Sequence, residues 1–214
     1  MKITKYVHAC VLVEDEEHTG LFDPGRFSWE SGLFKLDSLQ KLDFVMISHE
    51  HFDHFYGPFI DALHSKFPDV MFFSTPNVVS QLKRKGIEKA LSLSHDHVMV
   101  QALAHESMEP LAPSPQVQNV ALHYKNKISH PGDSLNLKIS HDVLFMPLAG
   151  PWGSAIDAIR MAVKLKPKAV LPIHDWMWND QWRQTMYDRM EQLFPRYDIK
   201  FLRPVDGQTI EVSL

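Results

Sequence analysis

The chain predicts an α/β fold of two β-sheets, each faced by helices on its outer side. Three observations carry this. Strand-rich segments followed by helices occur twice along the sequence. Central strand candidates such as 44–47 (FVMI) and 143–148 (VLFMPL) are continuous apolar runs, as strands buried on both faces read, rather than alternating ones. No linker, fixed-period repeat or low-complexity tract divides the 214 residues, so residues 1–214 are expected to form a single domain with ample length for a packed core.

Taken in order, strand signals come first, at 3–6, 9–13 and 20–22, the last closed by the turn Asp23-Pro24-Gly25. Strand 44–47 precedes a helix over 56–66. Strand 70–73 precedes Pro76-Asn77 and a helix to Lys85, since proline is at home in a first helical turn. Residues 97–104 again read as strand. After a proline-rich loop, 108–115, the segments 117–124 and 127–130 read as an antiparallel pair joined at Lys125-Asn126. Strand 143–148 is followed by an amphipathic helix to Leu165 with Ser154 as its expected cap, and 169–173 by a long helix over 179–194. Strands 199–202 and 209–212 flank the turn Val205-Asp206-Gly207.

Composition narrows the function classes. A hydrophobic fraction of 44% and a charged fraction of 22% are those of a soluble globular protein. A formal net charge of -4 gives no electrostatic reason to expect nucleic acid or an anionic membrane as partner. The dense basic run Lys83-Arg84-Lys85 reads as a solvated helix end. Cys10 is the only cysteine, which rules out an intrachain disulfide and points to a cytoplasmic location. No apolar stretch approaches membrane-spanning length.

The chemistry lies in His49-Glu50-His51-Phe52-Asp53-His54, an H-x-H-x-D-H motif on the loop between strand 44–47 and the helix that follows. Imidazole and carboxylate so tightly clustered are what Zn²⁺, Mn²⁺ or Fe²⁺ require. An extended backbone would aim His49, His51 and Asp53 to one side and leave His54 to point elsewhere, which suits a pair of cations better than one. Three further segments place a ligand candidate past the end of an expected strand: Ala104-His105-Glu106, His130-Pro131-Gly132-Asp133 and Pro172-Ile173-His174-Asp175.

In this motif, and in the His, Asp and His that follow it, the sequence resembles the metallo-β-lactamase superfamily from Phe22 to His174 at least. Leu21-Phe22-Asp23-Pro24-Gly25, His130-Pro131-Gly132-Asp133 and Pro172-Ile173-His174-Asp175 are similar to the branch that includes ascorbate-6-phosphate lactonase. The resemblance implies a four-layer αβ/βα sandwich with a metal site at one edge, between the sheets. It implies that His49, His51 and His105 hold a first metal and Asp53, His54 and His174 a second. Asp133 then bridges the two, Asp53 and Asp133 are the catalytic carboxylates, and Asp23 anchors the ligand loop from beneath.

Two divalent cations, zinc first with manganese or iron as alternatives, are therefore the expected cofactors. Held about 3.5–4 Å apart, such a pair shares a water and brings its pKa toward neutrality, so no serine or cysteine nucleophile is needed. The expected function is hydrolysis of a small ester, lactone or phosphodiester by the metal-bridged hydroxide. A nuclease acting on RNA and a non-enzymatic metal-binding protein are the alternatives. Flavodiiron members carry Glu where His51 stands, which disfavours redox diiron chemistry, whereas mononuclear iron dioxygenases of this fold keep the histidines. Around the site, Trp152, Trp176, Trp178 and Trp182 read either as an apolar wall for a small-molecule substrate or as helix packing or a subunit interface, which leaves a homo-oligomer open. Glu106, His130 and Asp175 are candidates for protonating a leaving group, and His8 and Tyr56 are further residues placed to approach the site.

Overall fold

The structure, a computed structural model, describes residues 1–112 and 117–213, so residues 113–115 of the expected proline-rich loop lie outside the described residues. One sheet has the order β13 (Thr209–Glu211), β1 (Lys2–Lys5), β2 (Val11–Glu14), β3 (Thr19–Phe22), β4 (Phe44–Met46), β5 (Met71–Phe73), β6 (Ala90–Leu91). The other has the order β12 (Lys200–Phe201), β11 (Ala169–Ile173), β10 (Val143–Pro147), β9 (Ile128–His130), β8 (Val120–Tyr124), β7 (Val98–Ala102). Helices α2 (Gly57–Lys66) and α3 (Pro76–Arg84) cover the first sheet, and α4 (Ala155–Leu165) and α5 (Asp180–Leu193) the second. This is the αβ/βα sandwich expected from the sequence.

Side-chain alternation builds the layers. On β2, Val11 and Val13 enter the core between the sheets while Leu12 turns to the helix layer; on β4, Phe44 and Met46 face inward and Val45 outward. On β10, Val143 and Phe145 face the first sheet, and Leu144 and Met146 pack under α4 and α5. Apolar on both faces, such strands carry no polar alternation, which is why they read as continuous runs. β3 to β6 run parallel, as do β9 to β12, with antiparallel strands at the other side of each sheet. The carboxyl ends of β1, β4, β7, β9 and β11 therefore come to one edge, each followed by a loop that carries a ligand candidate or His8.

Some elements differ from expectation for identifiable reasons. The strand read at 9–13 begins at Val11, because His8, with φ 65, turns the chain and Tyr6 N–H closes on the Cys10 carbonyl at 2.9 Å. Ser154 stands at the α4 cap position, yet its hydroxyl donates to Asp157 Oδ2 at 2.6 Å instead of accepting from the helix. Asn179 does cap α5, accepting from Trp182 N at 2.8 Å. The five-residue α1 (Arg26–Glu30), a 3₁₀ turn at Leu36–Ser38, another at Phe194–Tyr197 and the two-residue β6 had no periodic signal long enough to read. Among the described residues no helix is long and apolar enough to cross a membrane.

Asp15 ties the two sheets together. It accepts from the Glu17 and His18 amides at 2.9 Å in the β2–β3 turn, and from Tyr124 Oη at 2.8 Å on β8, with Lys125 Nζ at 3.0 Å. Burial opposes its charge, but the His18 and Glu17 amides, Tyr124 and Lys125 outweigh that and hold its carboxyl well below the ordinary range. A depressed folded-state pKa contributes stability that is full above the unfolded value of about 4 and is lost as pH falls toward the folded one. Asp15→Asn should therefore cost about 1 kcal/mol near neutral pH. Chemical denaturation of both proteins should show the difference shrinking as the pH is taken below 4; a pH-independent gap would contradict this.

Candidate metal centre

The motif loop is not extended. It coils, with His54 N–H and Phe55 N–H both donating to the His51 carbonyl at 2.9 and 2.8 Å. The i, i+2, i+4 geometry expected for His49, His51 and Asp53 is thus replaced by a turn that sends Asp53 and His54 one way and His49 and His51 the other. Gly25 makes room for it, since a Cβ there would lie 1.7 Å from the Asp53 carbonyl oxygen.

Two groups result, each with its ligand atoms within 4.8 Å of one another: His49, His51, His105 and Asp133 in one, and His8, Asp53, His54 and His174 in the other. Asp133, 2% exposed, lies between them. Its Oδ1 is 3.2 Å from His54 Nε2, and its Oδ2 is 3.2 Å from His174 Nε2, 3.6 Å from His105 Nε2 and 3.8 Å from His49 Nε2. All seven sequence-predicted residues converge here. The structure adds His8, whose Nε2 is 3.0 Å from Asp53 Oδ2.

The hydrogen bonds behind the rings decide which nitrogen faces the centre. Buried Asp23 accepts from Ser48 N at 2.7 Å, from Ser48 Oγ at 2.8 Å and from His54 Nδ1 at 2.7 Å. Because the single Ser48 hydroxyl proton goes to Asp23, the 2.9 Å contact between Ser48 Oγ and His49 Nδ1 makes His49 the donor. His105 Nδ1 donates to the Glu106 carbonyl at 2.6 Å, and His174 Nδ1 to that of Ala149. Each of the four rings so turns its Nε2 to the centre, where His51 Nδ1 lies 3.0 Å from His49 Nε2. Of these atoms, His54, His105 and His174 Nε2 and Asp133 Oδ1 are buried without a hydrogen-bond partner among the described residues. Unsatisfied polar atoms converging in this way are costly in a folded chain, and a divalent cation, which displaces any proton the rings hold there, satisfies them. The donor set thus fits metal.

The charges are interlocked. Burial alone would raise the Asp133 carboxyl, but His174, His54 and His49 outweigh it and hold it well below the ordinary range. Burial lowers His54, and Asp133, Asp23 and Asp53 together override it to raise His54 well above its usual value. His49 moves the other way, pushed well down by burial and by His54.

The sequence leaves Trp152 as an apolar wall or as packing, but in the structure its indole Nε1–H donates to Asp133 Oδ2 at 2.9 Å, and its ring lies 5.2 Å from that of His174. The tight Gly150–Gly153 turn seats it: a Cβ on Gly150 would meet the indole at 2.5 Å. Trp176 sits at the rim against Phe27 with Phe52 beyond, whereas Trp178 packs in the helix layer and Trp182 is exposed under Arg189. The acid candidates are engaged elsewhere. Glu106 accepts from Leu135 N and Asn136 Nδ2, both at 2.7 Å. His130 is buried against Phe22 and takes the Gly132 amide, and Asp175 pairs with Lys5 and Tyr187. Tyr56 packs in the helix layer of the first sheet.

The family whose description is Beta-lactamase superfamily domain matches residues 2–174. The chain belongs to the β-lactamase superfamily. A protein of Pyrococcus abyssi described as UPF0173 is 26% identical to it, over 97% of this chain and 99% of its own. A UPF0173 metal-dependent hydrolase of Natranaerobius thermophilus is 25% identical over 83% and 85%. Among solved structures, a metallo-β-lactamase fold protein from Bacillus subtilis superposes with a TM-score of 0.68 at 15% identity, covering 98% of each chain. The match is to the superfamily and its fold; the lactonase branch is not singled out.

Asp23 is the support on which two of the superfamily motif's histidines rest. Asp23→Asn would oppose an amide donor to Ser48 or His54, so one buried donor loses its acceptor, at a cost of about 1–3 kcal/mol. Denaturation of the metal-free proteins should show that loss; equal stability would mean that the Asp23 contacts do not fix these rings.

Proposed function

We propose that the chain is a metal-dependent hydrolase acting on a small ester, lactone or phosphodiester, with two divalent cations in the two half-sites. The observation that carries this is the convergence of the buried Nε2 atoms of His54, His105 and His174 on the buried carboxylate of Asp133. His49, His51 and His105 would hold one cation, Asp53, His54 and His174 the other, and Asp133 would serve both. Zinc, manganese and iron all suit this donor set. When bound, such ions supply Lewis acidity that activates water near neutral pH and polarises a substrate oxygen.

The chain's own residues prepare the site for that chemistry. The Glu106 and Ala149 carbonyls and the Ser48–Asp23 pair keep a proton on the far nitrogen of His105, His174, His49 and His54, so that Nε2 of each stays inward. Trp152 fixes one oxygen of Asp133 and packs its ring beside that of His174. Two features suit an organic substrate. Phe27, Phe52 and Trp176 form an aromatic rim, and a cavity of about 570 Å³ with a largely apolar lining, including Leu103, Ala104 and Val120, adjoins His105. The description of the Natranaerobius thermophilus relative as a metal-dependent hydrolase supports the same reading.

Asp133→Asn keeps the size and removes the negative charge that offsets two dications. Metal analysis and a panel of small esters, lactones and phosphodiesters should show activity reduced about 100-fold or more and weakened metal retention with the fold intact. Asp142→Asn, whose carboxylate pairs with exposed Lys168 at 3.1 Å, should be nearly silent. Unchanged metal content and rate in Asp133→Asn would overturn the assignment, and a fully loaded protein inert on the whole panel would favour a non-enzymatic metal-binding role.

A further inference from the structure

His8 lies outside the H-x-H-x-D-H motif, on the turn between β1 and β2, yet it is 1% exposed and its ring centroid is 3.9 Å from that of His174. The segment is held from several sides. Ser28 Oγ donates to the Val7 carbonyl at 2.6 Å and accepts from Val7 N at 3.3 Å. The His8 carbonyl accepts from His174 N at 3.1 Å, so the two residues are joined through backbone as well as ring contact. Both have left-handed backbones, with φ of 65 for His8 and 58 for His174. Such conformations cost a non-glycine residue and persist where surrounding structure imposes them. The imposing structure lies directly behind. Lys5, fully buried on β1, reaches Asp175 Oδ1 and Asp206 Oδ1, each at 2.9 Å, and the Tyr187 hydroxyl donates to Asp175 Oδ2. β1 of one sheet is thereby clamped to the end of β11 in the other, one residue from His174 and three from His8.

What this clamp delivers to the site is a single contact, His8 Nε2 to Asp53 Oδ2 at 3.0 Å. An ionised carboxylate only accepts, so Nε2 carries the proton, and the buried Nδ1, which has no hydrogen-bond partner among the described residues, is left as the bare lone pair. Asp53 Oδ2 also lies 3.6 Å from His174 Nε2 and 3.7 Å from His54 Nε2, so the oxygen that His8 holds is the one at the centre of the second half-site. We propose that His8 is a positioning residue for that half-site: its Nε2–H donation fixes the Asp53 carboxylate in one orientation beside His54 and His174, and so sets affinity for the second cation alone. The proposal rests on the two-cation reading above. It parallels the role of Trp152 on Asp133, so that each of the two carboxylates has one oxygen held by a ring N–H donor.

The test is titration of metal-free protein with Zn²⁺ against a chromophoric chelator, for the wild type, His8→Phe, which keeps a ring and lacks the donor, and His8→Gln, whose amide N–H can stand in for Nε2–H. Circular dichroism establishes that each variant is folded. In His8→Phe the first cation should bind as in the wild type and the second about 10–100-fold more weakly, the usual cost of losing a group that orients a ligand. His8→Gln should recover most of that loss. Nitrogen-15 NMR of the metal-free wild type, which needs no variant to fold, should show His8 protonated on Nε2. A folded His8→Phe protein with an undiminished second site would overturn the proposal, as would equal weakening of both sites, a His8→Gln protein as weak as His8→Phe, or an Nδ1-protonated His8. A wild type that takes up a single cation would instead overturn the two-cation reading, and this proposal with it.

Discussion

The buried carboxylate of Asp23 is the interaction on which the candidate centre depends. It sits where β3 ends and accepts from the Ser48 amide and hydroxyl and from His54 Nδ1. One anion therefore fixes the chain direction after β4, the proton on His54 and, through the Ser48 hydroxyl, the proton on His49. Its charge is balanced locally: burial disfavours the Asp23 anion, but His130 and His54 lie close enough to keep its carboxyl well below the ordinary range. With His49 and His54 set, each half-site has a fixed first member on the same loop.

The rest of the site is a problem of bringing distant segments to that loop. β1, β7, β9 and β11 all end at the edge where β4 ends, so His8, His105, Asp133 and His174 arrive from separate stretches of chain onto one point. Gly132, with φ 60, lets the loop after β9 press against Asn119, whose Oδ1 takes the Asp133 amide at 3.2 Å. The buried polar atoms left facing the centre are the energetic counterpart of this convergence. Folding confers no hydrogen bond on them, and a bound cation would provide the missing partner.

Much of this was legible in the sequence for physical reasons. Strands such as β4 and β10, buried on both faces, must be apolar at every position, and a compact set of imidazoles and carboxylates past a strand end has few uses besides metal binding. What was not legible depends on chain geometry that no local pattern encodes. The i, i+2, i+4 spacing of His49, His51 and Asp53 invited an extended reading, but a coiled turn, made possible by Gly25 beneath it, divides the motif between half-sites. Trp152 looked like bulk, and only the Gly150–Gly153 turn aims its N–H at Asp133. Glu106, His130 and Asp175 stood beside ligands in sequence, yet the hydrogen bonds that tie them down come from residues as remote as Leu135 and Lys5. His8 was visible as a residue near the site; its contact with Asp53 becomes apparent once a left-handed turn and the Lys5–Asp175 pair are seen behind it.

The central claim is that this edge holds two cations sharing Asp133. Anomalous diffraction from crystals of the metal-loaded protein, measured on either side of the metal absorption edge, tests it most directly. The account predicts two peaks per chain, one among His49, His51 and His105 and one among Asp53, His54 and His174, with the Asp133 carboxylate between them. A single peak at saturating metal, or two peaks with Asp133 turned away from both, would contradict it.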